Sequence, residues 1–128
     1  MELNIIDSRD EKHLPFDAQV AILKALTHPA RIAILEILRG GEHCVCHISA
    51  YLGFRQAYIS QQLSVLREAG LIQDRRDGWN VYYSVVDSRV FEILDDVKVL
   101  SGTSVNVLPA AHGECNCPHC STKAGFTE

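Results

Sequence analysis

Two thiols set the chemistry of this chain. Cys44 and Cys46 stand in the run Glu42-His43-Cys44-Val45-Cys46-His47-Ile48, a Cys-X-Cys spacing that holds two soft donors close together. Thiolates prefer thiophilic ions such as As(III), Cd(II), Pb(II) or Zn(II) over Mg or Ca. Two sulfurs two residues apart cannot share one face of a regular helix. They can converge where a helix begins and the backbone is not yet helical. The competing reading of each is a small buried hydrophobe. His28, His43 and His47 are read as structural, with His47 also a candidate nitrogen ligand beside Cys46.

A second cluster lies near the end of the sequence, Cys115-Asn116-Cys117-Pro118-His119-Cys120, with His112 close by. Three thiols at this density point to metal or redox chemistry, against the alternative of a tail whose cysteines do nothing. The segment Cys117-Pro118-His119-Cys120 also looks like a disulfide-oxidoreductase active site. That chemistry needs the pair to open a helix after a strand, and only eight residues follow Cys120. The enzyme reading fails on length, and no organic cofactor is expected. The economical solution joins the clusters: Cys44 and Cys46 give two thiolates, and Cys115, Cys117 or Cys120 of either subunit give one or two more. Three sulfurs would suit As(III) or Pb(II); four would suit Cd(II) or Zn(II).

The chain has 128 residues, the length of one domain. It has no apolar run near the ~20 residues that span a membrane, and its acidic start lacks the features of a secretory signal. A cytoplasmic protein is expected. Five cysteines, an odd number in a reducing compartment, favour metal or redox chemistry over a disulfide framework. A net charge of −4 argues mildly against nucleic acid, which needs Lys and Arg. The average conceals a distribution, because Glu2, Asp7, Asp10 and Glu11 lie at one end and Arg55, Arg67, Arg75 and Arg76 in the middle.

The elements that must position the thiols are legible in the spacing. Residues 1–14 lack periodicity and form an arm. Pro15-Phe16-Asp17 starts a helix, and Thr27-His28-Pro29 ends it, since the residue before proline is pushed out of helical geometry. A second helix carries Ile32, Ile34, Leu35, Ile37 and Leu38 and stops at Gly40-Gly41. The Cys pair opens a short third helix, Gly53 turns the chain, and a fourth runs from about Gln56 to Ala69 with Ile59, Leu63 and Leu66 inward. Leu71–Arg76 and Val81–Val86 then alternate as strands around Asp77-Gly78-Trp79-Asn80, and Asp-Gly is a hairpin signal. Asp87-Ser88 can cap a last helix, whose wide apolar stripe is expected to pack on a second subunit. The order predicts a mainly α domain with a small β-hairpin, a dimeric winged helix-turn-helix, over residues 15–101. A Cys-rich tail follows at 102–128.

In such a fold Gln56, Tyr58, Ser60 and Gln61 are the residues expected to meet base edges, and Arg75 and Arg76 those expected to meet phosphates. Trp79 is left open between contact and packing. Thiols at the start of the first helix of a DNA-reading pair imply a metal-responsive transcription factor.

The residues resemble the ArsR/SmtB family of metal-sensing repressors. The resemblance rests on His28-Pro29-Ala30-Arg31-Ile32, on the Cys44–Cys46 run, and on Ile59-Ser60-Gln61-Gln62-Leu63. It continues through Leu66-Arg67-Glu68-Ala69-Gly70-Leu71-Ile72 and Val81-Tyr82-Tyr83, and covers roughly residues 16–100. It implies a homodimer that binds operator DNA without metal and releases it with metal. This chain has Ser49 where the arsenic-sensing branch often has a third Cys, and His47 where Asp is common. The zinc-sensing branch places Asp and His ligands on the last helix. Here Asp87, Asp95 and Asp96 are present, with no His between Arg55 and His112. Two rival readings stand beside this one: a redox or sulfur-responsive repressor of the same fold, and a small metal-storage or thiol-exchange protein.

Overall fold

The computed structural model describes residues 14–103. The arm apart from Leu14, and the tail beyond Thr103 with Cys115, Cys117 and Cys120, lie outside the described residues. The elements are α1 (Asp17–Ala25), α2 (Pro29–Leu38), β1 (His43–Cys44), α3 (Val45–Leu52), α4 (Gln56–Glu68), β2 (Ile72–Asp77), β3 (Asn80–Val85) and α5 (Arg89–Ser101). Each expected helix is present, within a residue or two of its expected ends.

Local chemistry explains the boundaries. His28 is extended, as a residue before proline must be, and its Nδ1 accepts the Ala30 N–H at 3.1 Å. Pro29 then occupies the first helical position, where a missing N–H costs nothing. Gly53 ends α3 in the left-handed region at φ 78°, which is easy only for glycine. The next helix can therefore start three residues later.

The helices close on one core. Ile34 and Leu35 of α2, Ile48 of α3, and Ile59, Leu63 and Leu66 of α4 are its most deeply buried side chains. Ile72 of β2 and Val90 and Leu94 of α5 complete it. Burying each such side chain stabilises by about 1.5–3 kcal/mol, so α3 and α4 are fixed to each other through shared apolar contacts.

The sheet has one strand more than the expected two. Its order is β1-β3-β2, all antiparallel. His43 pairs with Tyr83 and Cys44 with Tyr82, so the residue that begins the first reading-unit helix is also sewn to the wing. A two-residue strand has no period to read, which is why the sequence showed only a hairpin.

A buried carboxylate joins α2 to α5. Glu36 is 8% exposed and accepts from Arg39 Nε at 2.8 Å and Nη2 at 3.1 Å. Arg39 also donates to Asp95 at 2.9 and 3.3 Å and lies 4.9 Å from the Phe91 ring centre. Lys98 adds contacts to Glu36 at 3.5 Å and Asp95 at 3.3 Å. Hydrogen bonding to Glu36, then to Asp95, raises the Arg39 pKa, and the Arg39 hydrogen bond holds the Asp95 carboxyl below its ordinary value. The Asp95 contribution is therefore complete above about pH 4, its unfolded pKa, and is lost as pH falls through the lower folded value.

Removing Arg39 takes two short hydrogen bonds from the buried Glu36 and leaves it the longer Lys98 contact at 3.5 Å, so Arg39→Met should cost about 1–3 kcal/mol of stability. Asp95→Asn should cost less, because that carboxylate faces water. Urea unfolding of the two variants at pH 7 checks this order. Equal losses would show that Glu36 does not depend on Arg39.

Candidate functional site

The outward face of α4 is one stripe. Gln56, Ala57, Ser60 and Gln61 are exposed, while Ile59, Gln62 and Leu63 face inward. The structure sets Tyr58 to one side of that stripe. Its ring is half-buried, with its hydroxyl 3.5 Å from His28 Nε2 and its ring 5.2 Å from that of Phe54. Ser49 Oγ donates to the Phe54 carbonyl, tying the end of α3 to the turn that launches α4.

One arginine fixes how α4 is held. Arg31 Nε donates to the Ala25 carbonyl at 2.7 Å and Nη2 to Lys24 at 3.1 Å, at the end of α1. Its Nη1 donates to Gln62 Oε1 at 2.8 Å. Gln61 and Gln62 are neighbours in sequence with opposite duties, one outward and one holding the frame.

The two wing arginines also differ. Arg75 donates to Glu42 at 3.0 and 2.6 Å and lies 5.0 Å from the Tyr82 ring centre. Arg76, next in the strand, points to the other face of the sheet and is exposed. Arg55, also exposed, stands at the N-cap of α4. Its position immediately before α4 makes it a third exposed cation near the outward stripe, beside the two expected from the sequence.

The thiols occupy the corner where β1 becomes α3. Cys44 is the N-cap of α3, extended at φ −89° and ψ 166°, and its Sγ accepts the His47 N–H at 3.4 Å. It is 4% exposed and packs with Tyr82, with Cys46 against the pair. The non-helical start that lets two sulfurs at this spacing approach is thus present. An N-cap donor serves a thiolate better than a thiol, because helix N-terminal N–H groups carry partial positive charge. His43 and His47 stack at 4.1 Å, 11° from parallel. Cys46 is disulfide-bonded, and Cys44 is not its partner.

The acidic residues near the last helix have other duties. Asp87 accepts the Arg89 backbone N–H at 2.9 Å and its guanidinium at 2.6 Å, which lowers its carboxyl pKa to about 2. Asp95 is paired with Arg39 and Lys98. Among the described residues no group of three or more His, Cys, Asp or Glu side chains could hold a metal ion, and no helix is long and apolar enough to cross a membrane.

A helix-turn-helix with an outward stripe on its second helix and a β wing defines a DNA-binding regulator, not an enzyme. Residues 28–74 match the family described as "Bacterial regulatory protein, arsR family". The chain is 35% identical over 96 residues to the HTH-type transcriptional regulator NmtR of Mycobacterium tuberculosis, covering 71% of this chain and 80% of that one. It is 40% identical over 78 residues to a biofilm growth-associated repressor of Agrobacterium fabrum, covering 60% and 67%. A Mycobacterium bovis structure, described as a homodimeric winged helix-turn-helix DNA-binding domain of a possible ArsR-family regulator, superimposes with a TM-score of 0.65. It is 28% identical and covers 80% of this chain and 95% of its own. The chain belongs to the ArsR family of transcriptional regulators.

The two glutamines make the frame testable. Gln61→Ala should weaken binding to DNA from the protein's own promoter by ~1–3 kcal/mol, the worth of a base contact, with unfolding unchanged. Gln62→Ala should instead lower the unfolding midpoint, because it strips Arg31 of its α4 partner. Anisotropy of labelled DNA at fixed salt and urea unfolding separate the two effects. Unchanged affinity in the first variant would move the reading face elsewhere.

Proposed function

We propose that the protein is a homodimeric, metal-responsive repressor. It holds operator DNA through Gln56, Ser60 and Gln61, flanked by Tyr58, with Arg55 and Arg76 toward phosphates and Arg75 joining them only on leaving Glu42. It releases DNA when a thiophilic ion, As(III), Cd(II), Pb(II) or Zn(II), is bound through Cys44 and Cys46. The observation that carries this reading is the double role of Cys44, at once the N-cap of α3 and a rung of the wing sheet. Dimerisation is supported by apolar side chains left outside on α1 and α5, among them Leu23 at 57% and Val97 at 52% exposed. The repressor sense is supported by the Agrobacterium relative, which is named a repressor. A cytoplasmic site of action belongs to the same reading.

With the Cys46 disulfide reduced, the donor set fits a soft ion in kind, since both candidates are then thiolates. It falls short in number, because two thiolates are fewer than the four ligands of a closed zinc site. Cys115, Cys117 and Cys120, from the same or the other subunit, are the donors that would complete it. The bound ion would supply a positive centre that holds several thiolates together. Ligation competes for the Cys44 sulfur with the His47 N–H and the packing against Tyr82. What Cys44 gives up is felt at both the start of α3 and the wing. An ion that favours the rearranged corner lowers DNA affinity by the difference, and a coupling of ~1–3 kcal/mol corresponds to roughly 5–150-fold.

The disulfide at Cys46 supports a second reading, in which oxidation rather than an ion breaks the same corner. One titration separates them: a metal sensor lets go of DNA with ion under reducing conditions, a redox sensor only with oxidant. A reduced protein that never binds its own promoter would instead be a metal-storage or thiol-exchange protein.

Serine is itself a good N-cap, so Cys44→Ser with Cys46→Ser should keep the fold and DNA binding. Release by ion should be abolished, and a double variant that still responds would sink the thiol site. Truncation before Gly113 should leave DNA binding intact and lower the sulfur count seen by thiolate-to-Cd(II) absorbance from three or four to two. A wild-type response after truncation would make the tail a separate store.

A further inference from the structure

Trp79 is the only tryptophan of the chain and is 98% exposed. An indole carries on the order of 150–250 Å² of surface that proteins normally bury, and among the described residues nothing covers it. Its position is nonetheless fixed. The hairpin is paired continuously from Ile72↔Val85 to Asp77↔Asn80, leaving only Gly78 and Trp79 as the loop. Gly78 has φ +64°, and among the described residues no non-glycine has positive φ. Positive φ at the first central position alone is the signature of the type II′ turn, whose twist matches the strands. Trp79 is therefore an apolar plate on a stiff, twisted ribbon.

Reach and charge point to one occupant. Six strand residues at ~3.3 Å each carry the tip roughly 20 Å from the core end of β2. Half a turn of B-DNA, the step from one groove to the next, is ~17 Å. The minor groove is ~6 Å wide, too narrow for a helix yet open to a flat ring edge-on. Arg76, exposed three residues before the tip, supplies the cation for the flanking backbone. Asp77 at the base of the turn makes the tip itself a poor phosphate ligand. Apolar side chains that enter a minor groove wedge between base steps, unstack them and bend the duplex.

We propose that Trp79 is such a wedge, entering the minor groove beside the major groove read by α4 and bending the operator. This rests on the DNA-binding reading, and the test keeps the two apart. The full reduced chain is titrated with a labelled duplex from its own promoter, following both DNA anisotropy and tryptophan emission. Every photon of that emission comes from Trp79, so no label is needed. Emission should fall by about half or more at saturation, as expected for a ring against bases. Trp79→Ala should weaken binding about tenfold, within the 5–150-fold range of base–aromatic stacking. It should also reduce the bend read by end-to-end energy transfer, with unfolding unchanged, while Trp79→Phe retains most of both. Normal anisotropy with unchanged emission would overturn the wedge and leave the DNA reading standing. Quenching without loss of bend in Trp79→Ala would mean contact without insertion, which also overturns it. Emission that changes with protein concentration alone would place Trp79 between copies of the chain. Absence of any anisotropy change would remove the DNA reading and the wedge together.

Discussion

The guanidinium of Arg31 is the joint on which the rest of the molecule depends. It takes two carbonyls from the end of α1 and the side-chain oxygen of Gln62 from α4. A positive group at a helix C-terminus meets the negative end of the helix dipole, and its planar fork serves several acceptors at fixed angles. The result is that α1, which carries much of the outward apolar surface, and α4, which carries the outward polar stripe, share one anchor. Residues 28–31 are therefore one device: an extended histidine that caps α2, a proline that starts it, and an arginine that sets the angle between two other helices.

The thiol corner has its own mechanical logic. Cys44 lies in three structures at once: the end of β1, the cap of α3 and the small apolar cluster with Tyr82. Glu42, just before it, clamps Arg75 of β2. The wing is thus held to the thiol segment by a backbone ladder and by an ion pair. The exposed pair is worth at most a modest amount, so the ladder and the packing of Tyr82 carry most of the connection.

Much of this was legible in the sequence because it was periodic or punctuated. Ile59, Leu63 and Leu66 recur at helical spacing and are buried together, and Gly53 and Gly78 mark turns where positive φ is needed. What escaped was non-local. The pairing of His43 and Cys44 with Tyr83 and Tyr82 spans about forty residues and uses a strand too short to show alternation. The Arg75–Glu42 pair likewise joins distant segments, so two adjacent arginines that look alike in sequence differ in their freedom to meet DNA. Tyr58 resembles its polar neighbours in the helix, and only its packing against Phe54 and His28 sets it apart. The two wing tyrosines, similar as letters, face opposite sides of one strand.

The brevity of β1 sets the size of any signal that passes through it. A long strand would weld the thiol segment to the wing and resist every perturbation, and a loop without pairing would transmit nothing. Two rungs lie between these limits. Native backbone hydrogen bonds contribute about 0.5–1.5 kcal/mol each, so undoing this ladder involves an energy of a few kcal/mol, comparable with typical coupling energies between sites. In the proposed mechanism such a strand would act as a fuse rated to the load: strong enough to define the resting shape, and weak enough for the binding of one ligand to open it.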